Sequence, residues 1–159
     1  MQRKQYTQAG YEKLQQQLNI LKGQKRREIA EQIEQARVDG DIRESIDYSD
    51  ALEQQGMLEA RIRFLEQELI DVEIVPTQDI HDRFVAFGCI VEIENLNTEK
   101  KHRYQIVGEL EADVKAGKLS MEAPLVQALL GKEVGDFIML DLARGLQEWE
   151  ILSIHKPKV

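Results

Sequence analysis

Two long runs of apolar residues at helical spacing constrain the fold of this chain more than any other feature. In the second run the spacing alternates between three and four residues, through Tyr48, Ala51, Gln55, Leu58, Ile62, Leu65, Leu69 and Val72. Only Gln55 is polar, and a pattern of this kind is typical of the contact seam of a coiled coil. We therefore predict a long helix with one side packed against another helix.

The first run has the same character but contains one irregularity. Its apolar residues are Tyr11, Leu14, Leu18, Leu21, Ile29, Ile33 and Ala36. The long step from Leu21 to Ile29 is a stutter, which locally unwinds a heptad pattern and leaves Lys25 at a seam position. Each run has about 30 residues, so each helix would be about 45 Å long at the rise of an α-helix.

The two runs are joined by a short segment around Gly40, a residue suited to the position just after a helix. Two helices of equal length with a short connection bury their apolar sides by folding back on each other. We predict an antiparallel coiled-coil arm over residues 1–76, with an acidic tip at residues 39–47. Such an arm has little core of its own, so we expect a second domain to anchor it at its base.

The second half of the chain supplies that base. After Pro76, residues 77–84 are polar and indicate a linker. From Cys89 the apolar residues alternate, which is typical of strands, and further strands are expected over 101–107, 137–142 and 147–154. Residues 120–131 indicate a short helix with Pro124 in its first turn. Residues 85–159 are therefore predicted to form a small, mainly antiparallel α+β domain.

Composition narrows the class of protein. The net charge is −8, which argues against a grip on duplex nucleic acid made mainly through phosphates. A single cysteine, Cys89, excludes an internal disulfide and a cysteine-cluster metal site. No stretch is long and apolar enough to span a membrane, and we expect a cytoplasmic, monomeric protein without a membrane partner.

The tip carries two acids whose spacing has two interpretations. Asp41 and Glu44 are three residues apart, which is the spacing of a helix capping box, and spacing alone favours this interpretation. The same two carboxylates can also reach one magnesium ion from one side. Because two carboxylates bind magnesium weakly, a functional site here would need further ligands from another macromolecule. Both roles are compatible.

These residues belong to a pattern that runs along the whole chain. Its tip reads Gly40-Asp41-Ile42-Arg43-Glu44-Ser45-Ile46-Asp47-Tyr48, its start has Tyr6, Gly10, Tyr11 and Leu14, and its second half has Leu129-Leu130-Gly131-Lys132 and Val134-Gly135-Asp136. The pattern resembles bacterial Gre transcript cleavage factors of the GreA type. The family has Asn and Ala at the positions of Ser45 and Ile46, so the tip differs there.

The resemblance implies a fold, a partner and a mechanism. The C-terminal half would have an FKBP-like fold and dock on bacterial RNA polymerase, and the arm would enter the secondary channel of the polymerase. Asp41 and Glu44 would share a magnesium ion with the polymerase active site and stimulate hydrolysis of backtracked RNA at its 3′ end. The chain would be an accessory factor and not an enzyme, and no cofactor is expected on the chain alone.

Four other residues take roles from the same resemblance. Arg37 and Tyr48 would contact the RNA end near the tip, and Ser120 and Pro124 would contribute to docking on the polymerase. The basic residues Lys22, Lys25, Arg26 and Arg27 are better interpreted as a solvated helix face than as a binding patch.

Three alternatives remain at the level of sequence. The first is a relative of the Gre factors that occupies the channel and regulates or inhibits the polymerase without promoting cleavage, which Ser45 and Ile46 motivate. The second is a peptidyl-prolyl isomerase that uses the FKBP-like half. The third is a coiled-coil chaperone of the prefoldin type, which would tolerate substitutions at the tip.

Overall fold

The computed structural model describes residues 3–38 and 46–158. The chain forms two compact bodies, a globular body of Met1–Gly10 with Val72–Val159 and a helical body of Tyr11–Asp71. The arm was expected to cover residues 1–76, but both ends of that range, residues 1–10 and 72–76, belong to the globular body. The tip segment 39–45, with Asp41 and Glu44, lies outside the described residues.

Four helical segments build the long hairpin predicted from the sequence. Helix α1 covers Gln8–Ile20, a π-helical segment covers Leu21–Lys25, α2 covers Arg26–Val38 and α3 covers Ile46–Glu68. The buried side chains are Leu14, Leu18, Ala36, Ala51, Leu58, Ile62, Leu65 and Leu69, all at predicted seam positions. The hairpin is antiparallel, because ion pairs join Lys22 to Glu66 and Arg26 to Glu59. Gln55, the polar seam member, is exposed.

The predicted stutter coincides with the π-helical segment Leu21–Lys25. A π-helical turn holds more residues than an α-helical turn, so it shifts the phase of the residues that follow it. The Lys25 side chain is 51% exposed, and its Nζ lies 3.4 Å from Glu28 Oε2. The wider turn therefore absorbs the long step in the apolar pattern, and Lys25 points to water.

Five strands form the main sheet of the globular body. These are β3 (Ile90–Asn95), β4 (Lys100–Val107), β5 (Lys118–Ser120), β6 (Phe137–Leu142) and β7 (Gly145–His155), in the spatial order β5-β4-β3-β7-β6. Neighbouring strands are antiparallel except β4 and β5, which are parallel. The fold is the predicted α+β arrangement of a helical hairpin and a small, mainly antiparallel sheet domain.

One face of this sheet forms the core together with helix α4. The helix covers Pro124–Leu129, so it is shorter than the predicted span of 120–131. The reason is that residues 120–123 form a turn, in which Ala123 N–H donates to Ser120 O at 2.9 Å. Val126 and Leu129 on the helix and Val91, Ile93 and Ile151 on the strands are completely buried.

A second, two-stranded sheet was not predicted from the sequence. Strand β1 (Gln5–Thr7) pairs in parallel with β2 (Glu73–Val75), and Tyr6 in its centre is completely buried. Residues 77–84, expected to be a linker, contain a short 3-10 turn at Thr77–Asp79, and Ile80 is part of the core. Among the described helices, none is long and apolar enough to span a membrane.

Candidate functional site

The ends of α2 and α3 that border the tip carry exposed apolar side chains. Val38, the last residue of α2, is 72% exposed, and Ile46, the first residue of α3, is 75% exposed. Asp47 lies in the first turn of α3, where a carboxylate is favoured by the helix dipole. Asp41 and Glu44 belong to the seven residues between these ends, outside the described part of the chain. Two bulky apolar residues therefore border the acidic segment and are accessible to a partner.

Arg37 and Tyr48 lie on either side of this segment. Arg37 is in the last turn of α2, its side chain is 57% exposed, and its Nη1 lies 3.7 Å from Glu34 Oε2. An exposed pair of this length contributes little free energy, so the guanidinium can exchange Glu34 for another anion. Tyr48 lies in the first turn of α3 and is half-buried. Both residues are thus near the helix ends that carry the tip.

The basic cluster on the first long helix is largely engaged within the hairpin. Arg26 Nε and Nη2 each donate to one oxygen of Glu59 at 2.8 Å, across the seam. The hydrogen bond from Arg26 lowers the pKa of Glu59, and the same bond raises the pKa of Arg26. Lys22 and Lys25 pair with Glu66 and Glu28. These pairs agree with the interpretation of the cluster as a helix face, because its charges are mostly neutralised.

The segment from Ser120 to Pro124, expected to contribute to docking, is an ordered surface turn. Ser120 Oγ accepts a hydrogen bond from Glu122 N–H at 3.0 Å, and Met121 N–H donates to Val107 O at 2.9 Å. Gln127 Nε2 donates to Met121 O at 2.7 Å. Pro124 begins α4 and is exposed, and Glu122 is also exposed. The turn therefore presents its side chains from a fixed backbone.

A carboxylate that the sequence did not single out fixes the beginning of α1. Glu111 accepts hydrogen bonds from Gly108 N–H at 2.7 Å, from Thr7 N–H at 3.1 Å and from the Thr7 hydroxyl. The Thr7 hydroxyl oxygen in turn accepts from Gly10 N–H at 3.0 Å, which is the geometry of a helix N-cap. A Cβ at residue 10 would overlap the Glu111 carboxylate. This explains the glycine in the starting motif.

Few other side chains among the described residues could bind a metal ion or act as a reactive group. No group of three or more His, Cys, Asp or Glu residues within them is placed to hold a metal ion. Cys89 is completely buried, and its burial raises the pKa of the thiol. His81 packs its ring edge-on against Phe84 with centroids 4.5 Å apart, and His102 stacks on Tyr104 at 5.6 Å. These are packing contacts of the globular body.

Comparison with protein families finds two matches that together cover almost the whole chain. Residues 4–74 match the family model described as the N-terminal part of transcription elongation factors, named GreA_GreB_N. Residues 80–156 match the model described as the C-terminal part of the transcription elongation factors GreA/GreB. The two halves of the family follow one another in the order expected from the arm and the base.

Individual relatives are similar over nearly their full lengths. A transcription elongation factor GreA from Psychrobacter cryohalolentis is 41% identical over 155 residues, which are 97% of this chain and 98% of the relative. The factor of the same name from Pseudomonas aeruginosa is 40% identical over 147 residues, which are 92% of this chain and 93% of the relative. That from Xanthomonas axonopodis pv. citri is 39% identical over 149 residues, which are 93% and 94%.

Solved structures also align over nearly the whole chain. The GreA factor homolog 1 (Gfh1) of Thermus thermophilus is 29% identical, with 97% of this chain and 99% of that chain covered and a TM-score of 0.41. A GreA/GreB factor from Nitrosomonas europaea is 18% identical, with 98% and 99% covered and a TM-score of 0.42. Both scores are below 0.5, and the fold described above does not depend on them.

Proposed function

This chain belongs to the GreA/GreB family of transcription elongation factors, and from that membership we propose that it binds bacterial RNA polymerase and stimulates cleavage of backtracked RNA. The helical hairpin enters the secondary channel, and the polymerase performs the hydrolysis, so the chain is an accessory factor. It acts as a monomer in the cytoplasm. The supporting observation is that identity of about 40% to GreA factors extends over both halves of the chain.

Asp41 and Glu44 are the residues proposed to act in the polymerase active site. Carboxylate oxygens are donors that magnesium prefers, and the ion commonly takes one or two carboxylates, waters and phosphate oxygens. A magnesium ion bound there supplies an activated water and neutralises charge on the phosphate. Asp41 and Glu44 hold their carboxylates toward it from one side, and the polymerase and RNA provide the remaining ligands.

The residues at the helix ends support this placement. The exposed guanidinium of Arg37 is weakly paired with Glu34, so an RNA phosphate can replace that carboxylate. Tyr48 packs near the RNA end. Docking uses the ordered turn that contains Ser120 and Pro124, whose backbone hydrogen bonds keep the surface preformed.

The decisive experiment measures RNA shortening in stalled, backtracked polymerase complexes. The variants are Asp41→Ala and Glu44→Ala, and the matched control is Glu53→Ala, which replaces an exposed acid of α3. We expect each tip variant to lower the cleavage rate about a hundredfold, the equivalent of ~3 kcal/mol of transition-state stabilisation. Binding to core polymerase, measured separately, should be unchanged.

Two other results would contradict the proposed roles. If Asp41→Ala or Glu44→Ala loses helix content by circular dichroism and cleaves normally per folded molecule, the pair is only a helix cap. If the wild type shortens no RNA but blocks a cleavage-active GreA factor from doing so, the chain is a channel-binding regulator instead. The exposed side chain of Ile46 at the beginning of α3 is the observation that favours this second function.

A further inference from the structure

The outer face of the main sheet carries a line of apolar side chains next to a line of acids. In the pairing of β6 with β7, Phe137 lies opposite Glu150 and Met139 lies opposite Glu148. Paired residues of neighbouring strands point to the same face of a sheet, so these four side chains share one surface. Leu146, opposite Asp141, extends the surface toward the hairpin turn. We call Phe137, Met139, Leu146, Glu148 and Glu150 the β6–β7 face.

The apolar part of this face is unusually open. Phe137, Met139 and Leu146 are 56%, 59% and 56% exposed, whereas the alternate residues Ile138 and Trp149 are 5% and 8% exposed in the core. Exposed apolar residues are ordinary when scattered, but a contiguous group next to a sheet edge marks an interaction surface. Strand β6 is that edge, because its only partner in the described sheet is β7.

The two acids of the face, Glu148 and Glu150, have no basic residue directly opposite them on the neighbouring strands. Glu150 of β7 lies opposite Phe137 of β6 on one side and opposite Glu94 of β3 on the other side, and Glu94 in turn lies opposite Lys101 of β4. Like charges placed directly opposite each other destabilise a sheet. Lys101 offsets this repulsion on the side of Glu94, whereas Glu150 has only Glu94 and Phe137 opposite it. None of Glu94, Glu148 and Glu150 forms an ion pair with any residue in 3–38 or 46–158. A cationic partner would relieve the repulsion.

The surface is also preformed at one end. A groove of about 310 Å³ is lined by Leu96, Asn97, Met139, Leu146 and Glu148. Glu148 N–H donates to Asn97 Oδ1 at 2.9 Å, and Leu96 N–H donates to Glu148 O at 2.9 Å. These bonds join the turn after β3 to β7. A side chain that enters the groove therefore meets a fixed apolar wall with a carboxylate at its side, which lowers the ordering cost of binding.

From these observations we infer that the β6–β7 face is a docking site for a basic, amphipathic segment of a protein. Its apolar side chains cover Phe137, Met139 and Leu146, and its Lys or Arg side chains lie against Glu148 and Glu150. The site is separate from the proposed polymerase-docking turn, since β5 and β6 are at opposite edges of the sheet. The inference does not depend on RNA cleavage.

The test uses the full chain labelled with ¹⁵N and three synthetic peptides of about 16 residues. The first is an amphipathic helix of Leu and Lys, the second has Glu in place of every Lys, and the third is a scrambled Leu/Lys sequence without an apolar side. We expect the first peptide to shift the amide resonances of residues 94–97 and 137–150 by NMR. The second should produce no shifts there, and the third should bind at least about tenfold more weakly, because its apolar contacts are lost.

Variants test the two halves of the face separately. Met139→Ser should weaken binding of the first peptide about tenfold, and its matched control is Val134→Ser, another exposed apolar residue that lies outside the strand pairs. Glu148→Lys should weaken binding by a similar factor and reduce its dependence on salt, whereas Asp82→Lys should leave both unchanged. Thermal unfolding identifies any variant that fails to fold, and Glu150→Gln then provides a milder substitution.

Three results would overturn the inference. The first is equal binding of the Leu/Glu peptide, which would mean that the acids play no part. The second is a set of shifted resonances that excludes residues 94–97 and 137–150. The third is a concentration-dependent change of the same resonances without peptide, which would assign the face to a second copy of this chain.

Discussion

At the scale of single residues, Gly10 is required because it lies against the Glu111 carboxylate. We predict that Gly10→Ala lowers the free energy of unfolding by about 1–3 kcal/mol, since the methyl group displaces a carboxylate that accepts three hydrogen bonds. Urea denaturation followed by circular dichroism measures the change. Glu111→Ala should have an effect of similar size, and the double variant should cost less than the sum.

A second glycine gives the matched control. Gly56 lies within α3, and a Cβ there would meet no atom within 4 Å. Gly56→Ala should therefore stabilise the chain by up to about 1 kcal/mol through helix propensity. If Gly10→Ala also proves stabilising, the contact between Gly10 and Glu111 does not determine the choice of glycine.

Cys89 provides a prediction about reactivity. Its thiol is completely buried, and burial raises its pKa, so the reactive thiolate is scarce at neutral pH. We predict that a thiol reagent such as DTNB labels Cys89 at least about a hundredfold more slowly in the native chain than in the chain unfolded in guanidinium. Labelling at the unfolded rate would show that the structure around Cys89, just before β3, opens frequently.

The sequence identifies Gly10 but not its partner Glu111, and the difference has a physical reason. Gly10 was recognisable because it belongs to a motif at the start of the chain. Its partner Glu111 lies far away along the chain, in a polar turn that resembles any other exposed turn. Side-chain contacts between distant segments leave no periodic signal. The tip acids are the opposite case, since local spacing and resemblance identify them and the described structure does not test them.

At the scale of elements, the hairpin depends on its cross-seam ion pair as well as on its apolar seam. The pKa of Glu59 is lowered by its hydrogen bond from Arg26, so the pair stabilises the folded state at pH values above the ordinary carboxyl pKa of 4.5. This contribution disappears as the pH falls through the lowered pKa of the folded state. The pair is exposed, and its effect is therefore small and sensitive to salt.

The corresponding prediction compares the wild type with Glu59→Gln. The variant should have a lower Tm at pH 7 and low salt, and the difference should vanish well below pH 4.5 and shrink in about 1 M salt. Differential scanning calorimetry measures both dependences. Glu53→Gln, an exposed acid without an ion pair among the described residues, serves as the control. A difference in Tm that is independent of pH would exclude the ion pair as its cause.

Elements with a long repeat were predictable, and short ones were not. The two long helices and strands β3, β4, β6 and β7 followed from periodicity. Strands β1, β2 and β5 have three residues each, too few to reveal an alternation. Leu52 and Phe64, two apolar residues of α3 beside the seam, are 41% and 43% exposed, because the hairpin has only one partner helix to cover each seam. Arg61 lies over the Phe64 ring at 5.5 Å and shields it in part.

At the scale of the whole molecule, the globular body is assembled from both ends of the chain. Strand β1 near the N-terminus pairs with β2, and Tyr6 on β1 is completely buried. Periodicity assigned these residues to the arm, since a three-residue strand next to a long helix is not distinguishable from the helix. The body is therefore incomplete when it is cut at the expected linker of residues 77–84, or even at Val72.

This organisation predicts how fragments behave. The fragment Val72–Val159 lacks Tyr6 and the partner of β2, so it should be at least about 3 kcal/mol less stable than the same fragment preceded by Met1–Gly10, the usual cost of removing a large buried aromatic side chain. The two segments can be joined by a linker of about eight Gly and Ser residues, which spans roughly 16 Å. Urea denaturation of both fragments measures the difference.

A third fragment separates the contribution of Tyr6 from that of added chain length. It carries the same linker and N-terminal segment but has Tyr6→Ser, which removes the buried ring and retains the backbone able to pair with β2. We expect its free energy of unfolding to fall most of the way to that of the Val72–Val159 fragment, because burial of the ring contributes more than three residues of strand pairing. Equal stability of all three fragments would mean that the sheet and helix α4 form a self-sufficient core, and that Met1–Gly10 belongs to the arm after all.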